Sequence, residues 1–164
     1  MLDLLPDLFD HYPDQLTLLS HPWKTFGAKT IFYGEVVTVK CFEDNSKVKS
    51  ELAKNGQGKI LVIDGGGSTR RALLGDMIAY NAFENGWEGI IINGCIRDVA
   101  TINTMMIGVQ ALGTNPIKTV KKNVGEVNTV IEIAGVIISP GMMIYADLNG
   151  IAVSKQTLDL TVLA

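Results

Sequence analysis

Arg97 and Asp98 close the segment Asn93-Gly94-Cys95-Ile96-Arg97-Asp98, and Asp76 follows Gly75 upstream with twenty residues between Asp76 and Arg97. A guanidinium presents a rigid fork that grips a carboxylate or phosphate, and an aspartate offers hard oxygens to Mg²⁺ or Mn²⁺. The same two charges equally read as a structural ion pair at the start of a loop. Gly75-Asp76-Met77-Ile78 opens a helical pattern. A helix beginning there leaves its first amides unpaired and aimed at whatever approaches, such as the carboxylate of a keto acid or small dicarboxylate. Asp76 also reads as a cap of its own helix.

These residues need a scaffold that brings them together. The apolar run Gly89-Ile90-Ile91-Ile92 reads as a buried strand just before Asn93, and Met77 to Asn85 as a helix closed by Gly86. One helix, a turn and one strand fit between Asp76 and Arg97. Such a crossover sets a helix start and the end of the following strand at one edge of a sheet, where open α/β folds bind ligands. Around it we expect strands at Ile31 to Cys41, Ile60 to Ile63, Ala72 to Leu74 and Gly108 to Ala111. Two short helices split by Pro13 are expected from Leu2 to Leu19. Another is capped by Asp44 or Asn45, runs through Leu52 and Ala53 and stops near Asn55-Gly56; a further one runs from Asp98 through Thr104. Val127 to Ile133, Val136 to Ile138, Met143 to Tyr145 and Ile151 to Val153 read as β pieces, with turns at Ser139-Pro140-Gly141 and Asp147 to Gly150. The expectation is one compact α/β domain over residues 1–164, sheet-dominated in its second half.

Other residues carry weaker signals. Asp64-Gly65-Gly66-Gly67-Ser68 resembles a phosphate loop but lacks a Gly-Lys-Ser/Thr ending, and Arg70 stands where a dinucleotide loop needs glycine, so it reads as a glycine-dense connection. His11 and His21 have no metal spacing and fit solvent or capping roles; Cys41 and Cys95 form no CxxC pair, and Cys95 fits as a small filler. Ser68 and Ser139 lack visible triad partners, and Tyr80, Phe83 and Trp87 read as packing residues. Lys118, Lys121 and Lys122 read as a solvated face. The net charge of −3 gives no case for direct nucleic-acid binding. No apolar stretch reaches membrane-span length and the start Met1-Leu2-Asp3 has no signal-peptide character, so a cytoplasmic protein with no membrane partner is expected.

Several segments resemble one family: Val39-Lys40-Cys41-Phe42-Glu43-Asp44-Asn45, Val62 to Ser68, Gly75-Asp76, Trp87-Glu88-Gly89, Asn93 to Asp98, Pro140-Gly141 with Ile144 to Asp147, and Gly150-Ile151. They are similar, in order, to the RraA-like family of regulators of ribonuclease E activity and 4-hydroxy-4-methyl-2-oxoglutarate aldolases. The resemblance implies an α/β swivelling β/β/α domain with a mixed β core and flanking helices, assembled as a homotrimer. It implies a divalent metal, Mg²⁺ or Mn²⁺, held by Asp98, with a keto-acid substrate gripped by Arg97 and the amides of Gly75, Asp76, Met77 and Ile78. Asp76 would orient a metal-bound water. The implied activity is pyruvate-forming aldol cleavage with oxaloacetate decarboxylation beside it. The alternative is a regulator that binds and inhibits ribonuclease E. The chain departs from the established aldolases at Thr101 and Thr104, where they carry acidic residues, and at Met142, where many relatives carry aspartate.

Overall fold

Two apolar runs build the centre of the computed structural model, which describes residues 1–163. They are β4 (Lys59–Asp64) and β6 (Gly89–Ile96), paired parallel, with Ile60 to Ile63 and Ile90 to Ile92 removed from solvent. Parallel strands covered on both faces need such uninterrupted apolar sequence. β3 (Phe32–Lys40) lies parallel on the far side of β4, β7 (Gly108–Thr114) parallel to β6, and β5 (Ala72–Leu74) pairs with the end of β6. Antiparallel strands extend both edges. Beyond β3 lie β11 (Met143–Asp147), β12 (Gly150–Ser154) and β1 (Thr17–Leu18), and beyond β7 lies β2 (Lys24–Phe26). β8 (Glu126–Val127) also pairs with β3.

One face of this sheet is covered by helices, α2 (Ser46–Leu52), α3 (Asp76–Glu84) and α4 (Val99–Ile102), through Val48, Leu52, Ala79, Ala82 and Ile102. The other face is covered by the hairpin of β9 (Ile131–Ile133) and β10 (Val136–Ile138), whose Ile131, Ile133 and Ile138 pack on Val36, Ile60, Val62 and Ile91. α1 (Leu5–His11) closes a third cluster with Tyr145, Ala152 and Leu158. Hairpin, sheet and helices make the β/β/α layering of a swivelling domain. No helix is long and apolar enough to cross a membrane among the described residues.

Several expectations are corrected. The segment after Pro13 gives the short strand β1 on β12 rather than a second helix, because Leu16 and Leu19 turn inward around an extended pair. β6 runs on through Asn93-Gly94-Cys95-Ile96: its register shifts after Ile92 and then resumes, so polar Asn93 and small Gly94 stay inside the sheet. The stretch Val127 to Ile133 is two strands, broken at Asn128, whose φ of 55° is left-handed and whose N–H donates to Thr38 O. Tyr80 and Phe83 are exposed, since α3 approaches the sheet through Ala79 and Ala82; Trp87 is buried and donates from Nε1 to Lys54 O.

The glycine loop after β4 spends its amides inside the protein. Gly65 and Gly67 donate to Asn93 O at 3.1 Å, Gly66 to Asp64 Oδ1 at 3.0 Å and Ser68 to Gly65 O at 3.3 Å. It is a connection, as its sequence suggests. His11 contacts Asp7 O from the last turn of α1, while His21 contacts Asn93 Oδ1 and meets Trp23 edge-on.

Candidate active site

The crossover from β5 through α3 to β6 does what its length allows. Arg97 leaves the end of β6 with its N–H on Leu74 O at 2.9 Å, which ties it to the last residue of β5 and so to the start of α3. Asp98 follows in the left-handed region, φ 57° and ψ 37°, a conformation that costs a non-glycine residue about 1 kcal/mol and that aspartate tolerates. This turn swings its carboxylate back over α3. Asp98 Oδ2 accepts the N–H of Asp76 at 3.0 Å.

Asp98 therefore caps α3 from outside. Gly75 is the N-cap position, and Asp76 is the first helical residue, making no side-chain cap bond. The reading of Asp76 as its own cap is replaced by this arrangement. Of the amides expected to face an anion, that of Asp76 is already committed to Asp98, whereas helix geometry leaves those of Met77 and Ile78 without partners inside the helix. Gly75 is in extended backbone that any residue adopts, and its small size is what counts: a Cβ there would lie 2.9 Å from Asp98 Oδ2 and 3.4 Å from Arg97 Nε.

Arg97 Nε and Asp98 Oδ2 are 3.8 Å apart, and both side chains are 38% exposed. That is a loose contact of the kind contributing little to stability. Arg97 and Asp98 both line a concavity of about 180 Å³ with Gly75, Asp76, Met77 and Ile78, together with Asn45, Lys49, Lys118 and Lys121. It lies below the roughly 300–1,000 Å³ of sites for drug-sized ligands. All six residues singled out from the sequence meet in this one hollow.

Lys118 and Lys121 line the hollow too, which their spacing along the chain could not reveal. The segment carrying them is strapped to the core. Ala72 N–H donates to Ile117 O at 2.8 Å, Arg71 Nη1 to Lys118 O at 3.2 Å, and Thr119 Oγ1 to Asn45 Oδ1 at 2.7 Å. Asn45 donates in turn from Nδ2 to Leu73 O at 3.2 Å, next to the start of α3. Asp44 accepts the N–H groups of Ser46, Lys122 and Val124 and the hydroxyl of Ser46. Burial pushes the Asp44 carboxyl up, but these hydrogen bonds outweigh it and hold it down at about 2. Thr101 and Thr104 sit on and just after α4, with Thr104 Oγ1 donating to Thr101 O, and neither lines the hollow. Met142 packs on the opposite, hairpin side.

Cys95 is a buried filler of β6, as its sequence suggests: burial pushes the thiol up, Lys24 opposing it. Among the described residues no group of three or more His, Cys, Asp or Glu side chains converges. Arg97, the helix-capping carboxylate of Asp98, the carboxylate of Asp76 and the first amides of α3 thus share one hollow.

The family model of RraA-like proteins, described as Aldolase/RraA, matches residues 4–153. The chain belongs to the RraA-like family. A relative from Shewanella oneidensis named "Putative 4-hydroxy-4-methyl-2-oxoglutarate aldolase" is 59% identical over 99% of both chains. Two solved RraA-like folds superpose over nearly the whole chain. One, titled S-adenosylmethionine: 2-dimethylmenaquinone methyltransferase from Geobacillus kaustophilus, has a TM-score of 0.93 and 43% identity over 98% of each chain. The other, titled the RNA-processing inhibitor RraA from Thermus thermophilis, has a TM-score of 0.92 and 37% identity, covering 98% of this chain and 97% of that one. The three names describe three different activities, so this fold hosts more than one function and the residues of the hollow distinguish among them.

Proposed function

We propose that the protein is a divalent-metal-dependent lyase that cleaves 4-hydroxy-4-methyl-2-oxoglutarate to pyruvate, with oxaloacetate decarboxylation as a side activity. The observation that carries the reading is the meeting of Arg97, Asp98 and the free amides of α3 in one hollow. The aldolase name of the 59% identical relative supports it.

The chemistry follows from charge. In the aldol cleavage the 4-hydroxyl loses its proton, the C3–C4 bond breaks, C4 becomes the keto carbon of one pyruvate, and the electron pair moves onto the other as its enolate. Arg97 would lie beside the keto oxygen where this negative charge grows, and a donor so placed is worth most in the transition state. The amides of Met77 and Ile78 at the positive end of α3 would hold the substrate's carboxylate. Asp76, at the mouth of the hollow, would accept the hydroxyl proton through a water and later return one to the enolate carbon. Oxaloacetate loses CO₂ through the same enolate.

A metal fits this donor set. Asp98 spends Oδ2 on the Asp76 amide and keeps Oδ1 for a hard cation, and Mg²⁺ needs only one or two protein carboxylates when water and substrate oxygens complete its shell. Bound there, Mg²⁺ or Mn²⁺ would supply Lewis-acid polarisation of the substrate's keto oxygen. The test is pyruvate release with added Mg²⁺ or Mn²⁺, repeated after chelation and with Asp98→Asn. Loss in both supports the assignment, and turnover surviving both removes the metal from it.

The 37% identical RNA-processing inhibitor motivates the second reading, a homotrimeric protein that binds and inhibits ribonuclease E. A pull-down and cleavage assay with the endonuclease separates the two. Inhibition that persists in Asp98→Asn, without any keto-acid turnover in the native protein, would favour the regulator.

A further inference from the structure

The hollow collects positive charge on a chain whose net charge is −3. Arg97, Lys49, Lys118 and Lys121 line it against the carboxylates of Asp76 and Asp98 alone. Among the described residues Lys29 pairs with Glu88, Lys54 with Glu51 and Arg70 with Glu43, while Lys49, Lys118 and Lys121 form no ion pair. Three like charges left uncompensated at one mouth repel one another, and an anion bound between them relieves that repulsion. Arg97 and the α3 amides account for one carboxylate, so the lysines are free for another.

Their carrier is held in place. Thr119, between the exposed Lys118 and Lys121, is buried and bonded to the buried Asn45, while Lys122 and Val124 are tethered to Asp44. Lys118 also forms a bridge to Ala72 at the start of β5, and Lys49 projects from α2, directly after the Asp44-Asn45 anchor. A strap fixed by buried polar bonds on both sides of its lysines loses little freedom when they engage a ligand.

We propose that Lys118 and Lys121, with Lys49, form a second anion subsite that takes the distal carboxylate of the substrate and selects dicarboxylic over monocarboxylic 2-oxo acids. The proposal rests on the lyase reading of the site for its substrate class and adds the residues that choose within it. The hydroxylated carbon lies between the two carboxylates of such a substrate. Clamping both ends would hold the breaking bond over Asp76 and Arg97, whereas a monocarboxylic acid would be held at one end only.

The test compares 2-oxoglutarate with 2-oxopentanoate, which share the keto-acid head and chain length and differ in the distal carboxylate. Affinities are measured by titration calorimetry with MgCl₂ present, for the native protein and for Lys118→Gln, Lys121→Gln and the double variant. Native protein should prefer 2-oxoglutarate by about tenfold, as expected for two or three partly screened ion pairs, with the preference shrinking at high salt. The double variant should bind both acids alike with its affinity for 2-oxopentanoate unchanged, and Lys121→Arg should restore most of the lost preference. A native protein that binds both acids equally, or a double variant that keeps the preference, overturns the subsite while leaving the lyase reading standing. A native protein that binds neither acid overturns that reading and the subsite with it.

Discussion

Gly75→Ala isolates the geometry of the site from the stability of the fold. The native φ of −126° and ψ of −174° suit alanine, so the substitution adds no backbone strain. Its methyl group would stand 2.9 Å from Asp98 Oδ2, 3.4 Å from Arg97 Nε and 3.6 Å from Arg97 Cγ, and the two functional side chains must retreat by a few tenths of an ångström. The first bond to suffer is the 3.0 Å contact from the Asp76 amide to Asp98. A hydrogen bond to a charged group contributes about 1.5–3 kcal/mol. Lost from the reacting geometry, that corresponds to roughly a tenfold to hundredfold fall in kcat/KM. The same bond caps α3, so the fold loses up to about 3 kcal/mol as well, a Tm shift of roughly 2–12 °C in a domain of this size, which leaves the protein folded at assay temperature. Pyruvate release coupled to lactate dehydrogenase, beside thermal unfolding of the same sample, reads both. Native-like turnover in Gly75→Ala would refute the packing argument; so would a loss of turnover fully matched by a loss of folded protein.

Other groups in the structure have equally measurable consequences. Burial pushes the Cys41 thiol up to about 12 and the Cys95 thiol upward as well, so neither should react with a thiol reagent at pH 8 until guanidinium unfolds the chain, and rapid labelling of the native state would contradict this. Asp44 sits at about 2 against an ordinary 3.8, so its contribution, at most roughly 2 kcal/mol, is complete above pH 4 and is lost as pH falls through 2. The gap in denaturant midpoint between native protein and Asp44→Asn should therefore be clearly smaller at pH 2.5 than at pH 7, and a gap as large at pH 2.5 as at pH 7 would count against the anchor. In the core, Phe32 lies against Gly89 and Gly108, and a Cβ on Gly108 would come 2.1 Å from Phe32 Cδ1. Gly108→Ala should cost about 1–3 kcal/mol and lower Tm by roughly 2–12 °C, and an unchanged Tm would show that the ring relaxes freely.

The centre of the fold and the core of the site are legible in the sequence because they rest on local patterns. Unbroken apolar runs mark β4 and β6, and the twenty residues from Asp76 to Arg97 are enough for one crossover. What escapes is set by contacts distant along the chain. The apolar run stops at Ile92, yet Asn93 is paired with Asp64 and His21 and the strand continues past it. Tyr80 and Phe83 carry more apolar area than Ala79 and Ala82, but close approach of α3 to the sheet favours the smaller pair. Lys118 and Lys121 read as a solvated face because the Asn45–Thr119 bonds that fold them over the start of α3 join residues 74 positions apart. Asp98 as the cap of α3 is equally hidden, since its partner amide lies 22 positions upstream.

Arg97, at the end of β6, is the residue proposed to stabilise the charge that forms when the carbon–carbon bond breaks. The most direct measurement of that role is the steady-state release of pyruvate from 4-hydroxy-4-methyl-2-oxoglutarate, with Mg²⁺ present, by native protein and by Arg97→Ala. Removing one such donor costs about 10²–10³ in kcat, and that loss, with thermal stability nearly unchanged because the Arg97–Asp98 contact is loose and exposed, is the result predicted. Near-native turnover in Arg97→Ala would contradict it.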